Sequence, residues 1–173
     1  MEKLTVKDFD KLFALMKQSF IEDELRPYDE QKALFAEPIY HVFAKYSDDH
    51  QDLKAFIALW NFDTFVFVDY FAVHPRYRNL GIGQEILAEV RKMTPKDIFL
   101  EIEEPTDDMT YRRLKFYQRN QFELCQFAYH QPPIARGNAP VALSLMGSRK
   151  LEDEKEFSYI KSQIYEYAYK RFL

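Results

Sequence analysis

The chain has 173 residues, of which 47% are hydrophobic, 17% aromatic and 30% charged, with a formal net charge of −4. That composition excludes a disordered polypeptide, the length predicts a single domain over 1–173, and the acidic balance disfavours a general nucleic-acid coat. One cysteine, Cys125, leaves no intrachain disulfide and no cysteine-based zinc cluster, and no apolar run approaches the roughly 18–20 residues of a membrane helix.

The chain opens Met1-Glu2-Lys3-Leu4-Thr5, with no apolar signal core, which predicts a cytoplasmic protein. Thr5 and Asp8 read as a helix start. Phe9, Leu12, Phe13, Met16 and Phe20 then recur at helical spacing and predict a helix over 6–20. Pro27 opens a shorter helical stretch to about Phe35, and Pro38 closes it. Three strands follow, Tyr40–Tyr46, Leu53–Trp60 and Phe65–Val73, with short turns between them that imply antiparallel hairpins. A helix runs from Gly81 to about Met93, with Ile82, Ile86, Leu87, Val90 and Met93 as its apolar stripe. Ile98–Glu103 is the next strand, and by alternation Phe99, Glu101 and Glu103 share one face. Tyr111, Leu114 and Tyr117 lie along one side of a helix over 109–120. Phe122–His130 and Val141–Met146 read as two more strands. Phe157, Ile160, Ile164, Tyr167 and Ala168 define a last helix over 153–171. The predicted fold is α/β in the α+β sense, with a mixed, mostly antiparallel sheet covered by helices.

Glycine is scarce, with 4 in the chain, and two of them sit in Gly81-Ile82-Gly83. They fall between the end of a strand and the start of a helix, in Val73-His-Pro-Arg-Tyr-Arg78-Asn-Leu-Gly81-Ile-Gly83-Gln84. The first N–H groups of a helix have no internal partner, and the aligned peptide dipoles add partial positive charge there. Glycine lets the backbone approach a ligand, and Arg76 and Arg78 add full charges. The segment therefore predicts an anion cradle, most simply for a pyrophosphate. A P-loop is excluded, because no Gly-Lys-Ser or Gly-Lys-Thr follows. The dinucleotide fingerprint fits badly, because Ile86 stands where its third glycine would be.

The spacing Arg78, Gly81, Gly83 resembles the acetyl-CoA signature of the GCN5-related N-acetyltransferase (GNAT) superfamily. The order of elements over roughly 1–147 is similar too, as is the segment Phe116-Tyr117-Gln-Arg-Asn-Gln-Phe122. The resemblance implies central strands that splay apart, Asp69–Val73 and Ile98–Glu103, with helices on both faces and the C-terminal helix as an extension. It implies acetyl-CoA as co-substrate and no metal. The pantetheine arm would pair with the strand edge at Phe71, Ala72 and Val73, and the N–H of Ala72 or Val73 would polarise the thioester carbonyl. The pyrophosphate would meet Arg78, Asn79, Leu80, Gly81, Ile82, Gly83 and Gln84. Tyr117 would serve the departing thiolate as general acid, although its place beside Leu114 also suits a core residue.

The implied acceptor is a primary amine of a small molecule or protein, and Asp69, Glu101 and Glu103 are the candidates to take its proton. Three positions depart from the family pattern. Thr110 stands for its Asn, Arg113 for its Ala and Gln121 for its Gly. These departures motivate an alternative, an acyl-CoA-binding sensor or partner module without catalysis. An acyltransferase acting on aminoacyl-tRNA is disfavoured by the net charge of −4. His74 reads as an ordinary loop histidine and Cys125 as a small buried hydrophobe within a strand. Arg26 reads as a surface ion-pair partner or as a clamp for an acceptor carboxylate. The loop Gln131–Pro140 could wall the acceptor cleft. Tyr159, Tyr165 and Tyr169 could form an exposed aromatic side on the last helix, serving subunit pairing, cleft cover or plain packing. Monomer and homodimer both remain open.

Overall fold

The computed structural model describes residues 1–134 and 140–169. Part of the loop Gln131–Pro140 and the last residues of the helix predicted over 153–171 lie outside the described residues. The strands are β1 (Glu2–Lys3), β2 (Tyr40–Tyr46), β3 (Leu53–Asn61), β4 (Phe65–Val73), β5 (Asp97–Glu103), β6 (Glu123–Leu124) and β7 (Leu143–Gly147), in the sheet order β1-β2-β3-β4-β5-β7-β6. The chain forms two compact units: Met1–Phe62 with Val68–Pro95, and Asp63–Phe67 with the chain from Lys96 onward.

In the first unit, Thr5 and Asp8 form the expected capping box. The Thr5 N–H donates to Asp8 at 2.9 Å, and a short 3₁₀ turn leads into α1 (Phe9–Ser19). Phe9 packs edge-on to Tyr28 of α2 (Tyr28–Ala33) at 4.9 Å and to Phe35 at 5.7 Å, joining the two helices through aromatic contacts. β2 and β3 pair antiparallel from Tyr40↔Trp60 onward, with an irregularity at Lys45/Tyr46. β3 is buried without alternation from Ala55 to Trp60, because α1 and α3 (Ile82–Met93) both pack on it. Lys45 bonds Glu85 and Glu89 at 2.7 and 2.9 Å, tying β2 to α3.

In the second unit, β5 and β7 pair antiparallel with Phe99 opposite Gly147, Glu101 opposite Leu145 and Glu103 opposite Leu143. A Cβ on Gly147 would stand 2.8 Å from the Phe99 ring and 2.8 Å from the Arg149 carbonyl oxygen, so only glycine fits under that ring. α4 (Asp108–Arg119) begins on an Asp107 cap that accepts from Met109 and Thr110.

Two elements differ from the sequence expectation. The strand predicted over Phe122–His130 is only β6. Past Cys125, whose N–H still reaches the Leu145 carbonyl, the chain leaves the ladder. Its alternating Phe127 and Tyr129 resemble a strand, but they pack instead on Phe157 of α5 (Glu154–Ile164), at 4.9 and 6.5 Å. The last helix continues α5 as a π turn, Tyr165–Tyr169. Stacking then goes by five residues instead of four. Below Ile164 this turns Tyr169 inward at 2% exposure and leaves the predicted stripe residue Tyr167 at 37%.

Candidate active site

The strand-to-helix turn expected to form an anion cradle lies in the first unit. Gly81 caps α3 with φ of 78°, in the left-handed region where glycine carries no Cβ penalty, and Asn79 is left-handed as well, at 63°. These turns aim successive N–H groups outward, the geometry of an anion nest. Among the described residues, no acceptor faces the N–H groups of Asn79, Leu80, Gly81, Ile82, Gly83 or Gln84. The first bond of the helix runs from the Glu85 N–H to the Gly81 carbonyl at 3.0 Å. A Cβ on Gly81 would meet no atom within 4 Å, so the space above the turn is open. Arg78 is exposed, and its Nε donates to the Val73 carbonyl at 3.2 Å, which folds the guanidinium back along the loop. His74 Nδ1 accepts from the Arg76 N–H at 3.2 Å, so His74 holds the loop locally. Phe71, Ala72 and Val73 are each half-buried at the end of β4.

Tyr117 is fixed by the way α4 ends. The Phe122 N–H donates to the Tyr117 carbonyl and the Gln121 N–H to that of Gln118, each at 3.0 Å, which closes a Schellman turn. Gln121 takes φ of 62° there. This is the position where the family pattern has glycine, and glutamine occupies it against a steric preference. The turn presses the Phe122 ring on Tyr117 at 5.8 Å, the apolar contact that accompanies such caps. Tyr117 is buried, and among the described residues its hydroxyl has no hydrogen-bond partner. Burial pushes its pKa up to about 12, with Arg113 opposing and Glu103 adding to the rise. Thr110 turns back on its own helix: its Oγ1 accepts from Thr106 and Asp107 at 3.0 Å. Arg113 is ion-paired with Glu103. Tyr111, expected on the stripe of Tyr117, is half exposed.

The three candidate carboxylates meet different partners. Asp69, on β4, accepts two bonds of 2.7 Å from the guanidinium fork of Arg26, and a third at 3.0 Å from Tyr40. Arg26 is 1% exposed, which corrects its reading as a surface residue and gives its fork to a carboxylate of its own chain. Burial works against the Arg26 charge, but Asp69 outweighs it, so the pKa of Arg26 rises. Gln31, fully buried, accepts from Arg26 at 3.2 Å and donates to Tyr40 at 2.8 Å. Glu101, on β5, accepts from the hydroxyls of Tyr129 and Tyr169. Glu103, two residues on, takes Arg113. Sequence reasoning missed Gln31, Tyr40 and Tyr129, and had Tyr169 only as part of an exposed aromatic side that could pair subunits, cover the cleft or pack plainly. Alternation along β5 pointed to Glu101 but carried no signal for its partners.

Cys125 is half-buried beside the ladder, just past β6, and burial pushes its thiol up to about 11, so it is not a ready nucleophile. Among the described residues, no group of three or more His, Cys, Asp or Glu side chains is arranged to hold a metal. No described helix is long and apolar enough to cross a membrane. A coenzyme A pyrophosphate fits the cradle by its chemistry: acceptor-less N–H donors, open space over a glycine, and an adjacent guanidinium.

The sheet order and the strand-to-helix turn before α3 agree with the mixed α+β fold expected from the sequence. The sequence pattern of the Acetyltransferase (GNAT) family matches residues 9–122, and the chain belongs to that family. The Bacillus subtilis (strain 168) protein YjbC, assigned as an acetyltransferase, is 36% identical over 108 residues, a match covering 61% of this chain and 56% of that protein. A Bacteroides thetaiotaomicron protein assigned to the same family superposes with a TM-score of 0.88 at 30% identity, covering 97% of each chain. Arabidopsis thaliana NAA60, solved with acetyl-CoA, shares the fold at a TM-score of 0.63 and 14% identity, covering 84% of this chain and 95% of that one.

Proposed function

We propose that this chain is an acetyl-CoA-dependent N-acetyltransferase. It would move an acetyl group directly from the thioester to a primary amine of a small molecule or protein, in the cytoplasm. The observation that carries the reading is the row of acceptor-less N–H groups from Asn79 to Gln84 over the left-handed Gly81.

Acetyl-CoA supplies an activated acyl carbon and a good leaving group. The cradle and Arg78 bind its pyrophosphate, while Phe71, Ala72 and Val73 offer a strand edge to its arm. An N–H of Ala72 or Val73 supports charge on the acyl oxygen, and such a donor is worth about 2.7–4 kcal/mol. By the family resemblance, Tyr117 would serve the departing sulfur. With its own pKa near 12 it is fully protonated at neutral pH. A thiol titrates near about 8.5, so complete transfer of the Tyr117 proton is uphill by roughly 5 kcal/mol. Tyr117 therefore acts first as a hydrogen-bond donor to the thiolate, and bulk water completes protonation.

The amine must arrive neutral, and at pH 7 only about one alkylamine in a few thousand is unprotonated. A fixed carboxylate attracts the ammonium and receives its proton directly or through a water. Asp69 is already neutralised by Arg26, and Glu103 is held by Arg113. Glu101 accepts from the hydroxyls of Tyr129 and Tyr169, and Asp69, Glu101 and Glu103 remain the candidates to receive the proton. The sensor alternative draws on Thr110, whose hydroxyl is engaged at its own helix cap.

Calorimetry with coenzyme A, followed by mass spectrometry of an amine pool incubated with isotopically labelled acetyl-CoA, tests the reading. Binding with label transferred to an amine is expected. Binding without transfer to any amine favours the sensor. No binding removes both.

A further inference from the structure

The strand edge at residues 71–73 is held at both of its ends, and both holds lie within the first unit. After it, the His74 N–H donates to the Lys54 carbonyl of β3 at 2.9 Å, and the Val73 carbonyl accepts from Arg78. Before it, Asp69 and Tyr70 are both tied to residues 24–26, in the link between α1 and α2. Arg26 gives its fork to Asp69, and its guanidinium lies 5.3 Å from the centre of the Tyr70 ring. The Tyr70 hydroxyl donates to the Glu24 carbonyl at 2.7 Å. Gln31 of α2 and Tyr40 of β2 extend the same network, and the Asp69 side chain is 2% exposed. Burial holds the hydroxyls of Tyr40 and Tyr70 above their ordinary pKa, so both remain donors throughout the neutral range.

Consecutive side chains leave a strand in different directions. Anchors on Asp69 and Tyr70 together therefore fix the rotation of β4 about its own axis, which one anchor would leave free. That rotation decides where the next N–H groups point. A donor to an acyl oxygen acts within about 2.7–3.1 Å of the place the oxygen will occupy, so a small turn of the strand would misdirect it. Stability is a weak reason to bury an ion pair, because an apolar pair of similar volume is often as stable. A guanidinium fork on a carboxylate sets distance and plane at once, which a lysine does not.

We infer that Arg26 is a positioning residue. Through Asp69 and Tyr70 it sets the orientation of the β4 edge, so that an N–H of Ala72 or Val73 meets the acyl oxygen. The inference rests on the proposed acetyl-CoA site and goes beyond it by giving the link between α1 and α2 a task in aligning the acyl donor.

The test uses the full chain as Arg26→Lys, which keeps the charge without the fork, and as Tyr70→Phe, which keeps the ring without the bond to Glu24. Asp8→Ala, which loses the capping box ahead of α1 in the same unit, is the control for stability alone. In the free protein, nitrogen-15 relaxation should show the order parameters of Ala72 and Val73 falling from about 0.85 towards 0.6 in both variants, with Ile86 and Leu87 of α3 unmoved. With acetyl-CoA and a panel of primary amines, kcat should fall about tenfold at every pH, while coenzyme A affinity by calorimetry stays within about twofold. Asp8→Ala should change neither. Unmoved order parameters in both variants overturn the inference and leave the acetyltransferase reading standing, as does an equal change in Asp8→Ala. Parent-like kcat in both variants overturns it as well. A fall in kcat confined to acid pH would mean that Arg26 acts through the charge of Asp69, and overturns it too. No transfer by the parent chain to any amine removes the proposed function, and the inference with it.

Discussion

Asp69 and Glu101 are both carboxylates on sheet strands, and each accepts a tyrosine hydroxyl, yet the two units treat them differently. In the first unit Asp69 is clamped by a buried guanidinium, in a network with Gln31 and Tyr40. In the second, Glu101 accepts hydrogen bonds from two phenols, Tyr129 and Tyr169. A cation and an anion buried together mainly fix geometry, because mutual attraction is spent against desolvation. The contrast separates a carboxylate paired with a buried guanidinium from one that accepts from two phenols, although the two look alike in the sequence.

The largest effect should come from breaking the first arrangement. Arg26→Met leaves Asp69 buried without its cation and should lower stability by about 3–5 kcal/mol in urea unfolding. Arg26→Met with Asp69→Leu should recover much of that loss. Next comes the contrast itself. Glu101→Gln should cut turnover about 100-fold at an unchanged coenzyme A affinity, whereas Asp69→Asn should show mainly as an earlier unfolding midpoint. Equal rate losses in the two would erase the distinction drawn here. A smaller effect should follow from Gly147→Ala, which sets a methyl against Phe99 and the Arg149 carbonyl beside the Glu101 ladder, costing about 1–3 kcal/mol.

The smallest effect is a dependence on acid. Asp8 in the first unit is held below the ordinary carboxylate range by the Thr5 N–H, and Asp107 in the second by the Thr110 N–H. Depressed pKa values stabilise the fold above the unfolded carboxylate pKa of about 3.9, and that contribution fades as pH falls below it. Far-ultraviolet circular dichroism should show Asp8→Ala and Asp107→Ala losing stability at pH 7 relative to the parent, with the difference vanishing near pH 2.

Much of the fold was legible because its signals are local. The strand bounds Tyr40–Tyr46 and Phe65–Val73 follow from apolar runs between turn residues, and the capping box at Thr5 and Asp8 from two side chains three residues apart. The turn that caps α3 was legible for the same reason: two glycines at a strand-to-helix junction mark it without reference to the rest of the chain. The departure at Gln121 was visible as a missing glycine, but its left-handed backbone was not.

Local periodicity failed where a distant ring decided. Phe127 and Tyr129 alternate like a strand but pack on Phe157, some thirty residues later in sequence. Tyr169 was assigned to an exposed side because α-helical spacing was assumed through a π turn. Arg26 looked like a surface residue because its partner, Asp69, lies 43 positions away.

The sequence by itself determined the family, the order of elements and the glycine turn that caps α3, since each rests on spacing within one or two turns of chain. The tertiary structure alone decided that Asp69 meets the Arg26 guanidinium and that Glu101 meets the hydroxyls of Tyr129 and Tyr169. That outcome depends on side chains brought together from remote segments, and on how far burial lets a cation or a phenol reach them.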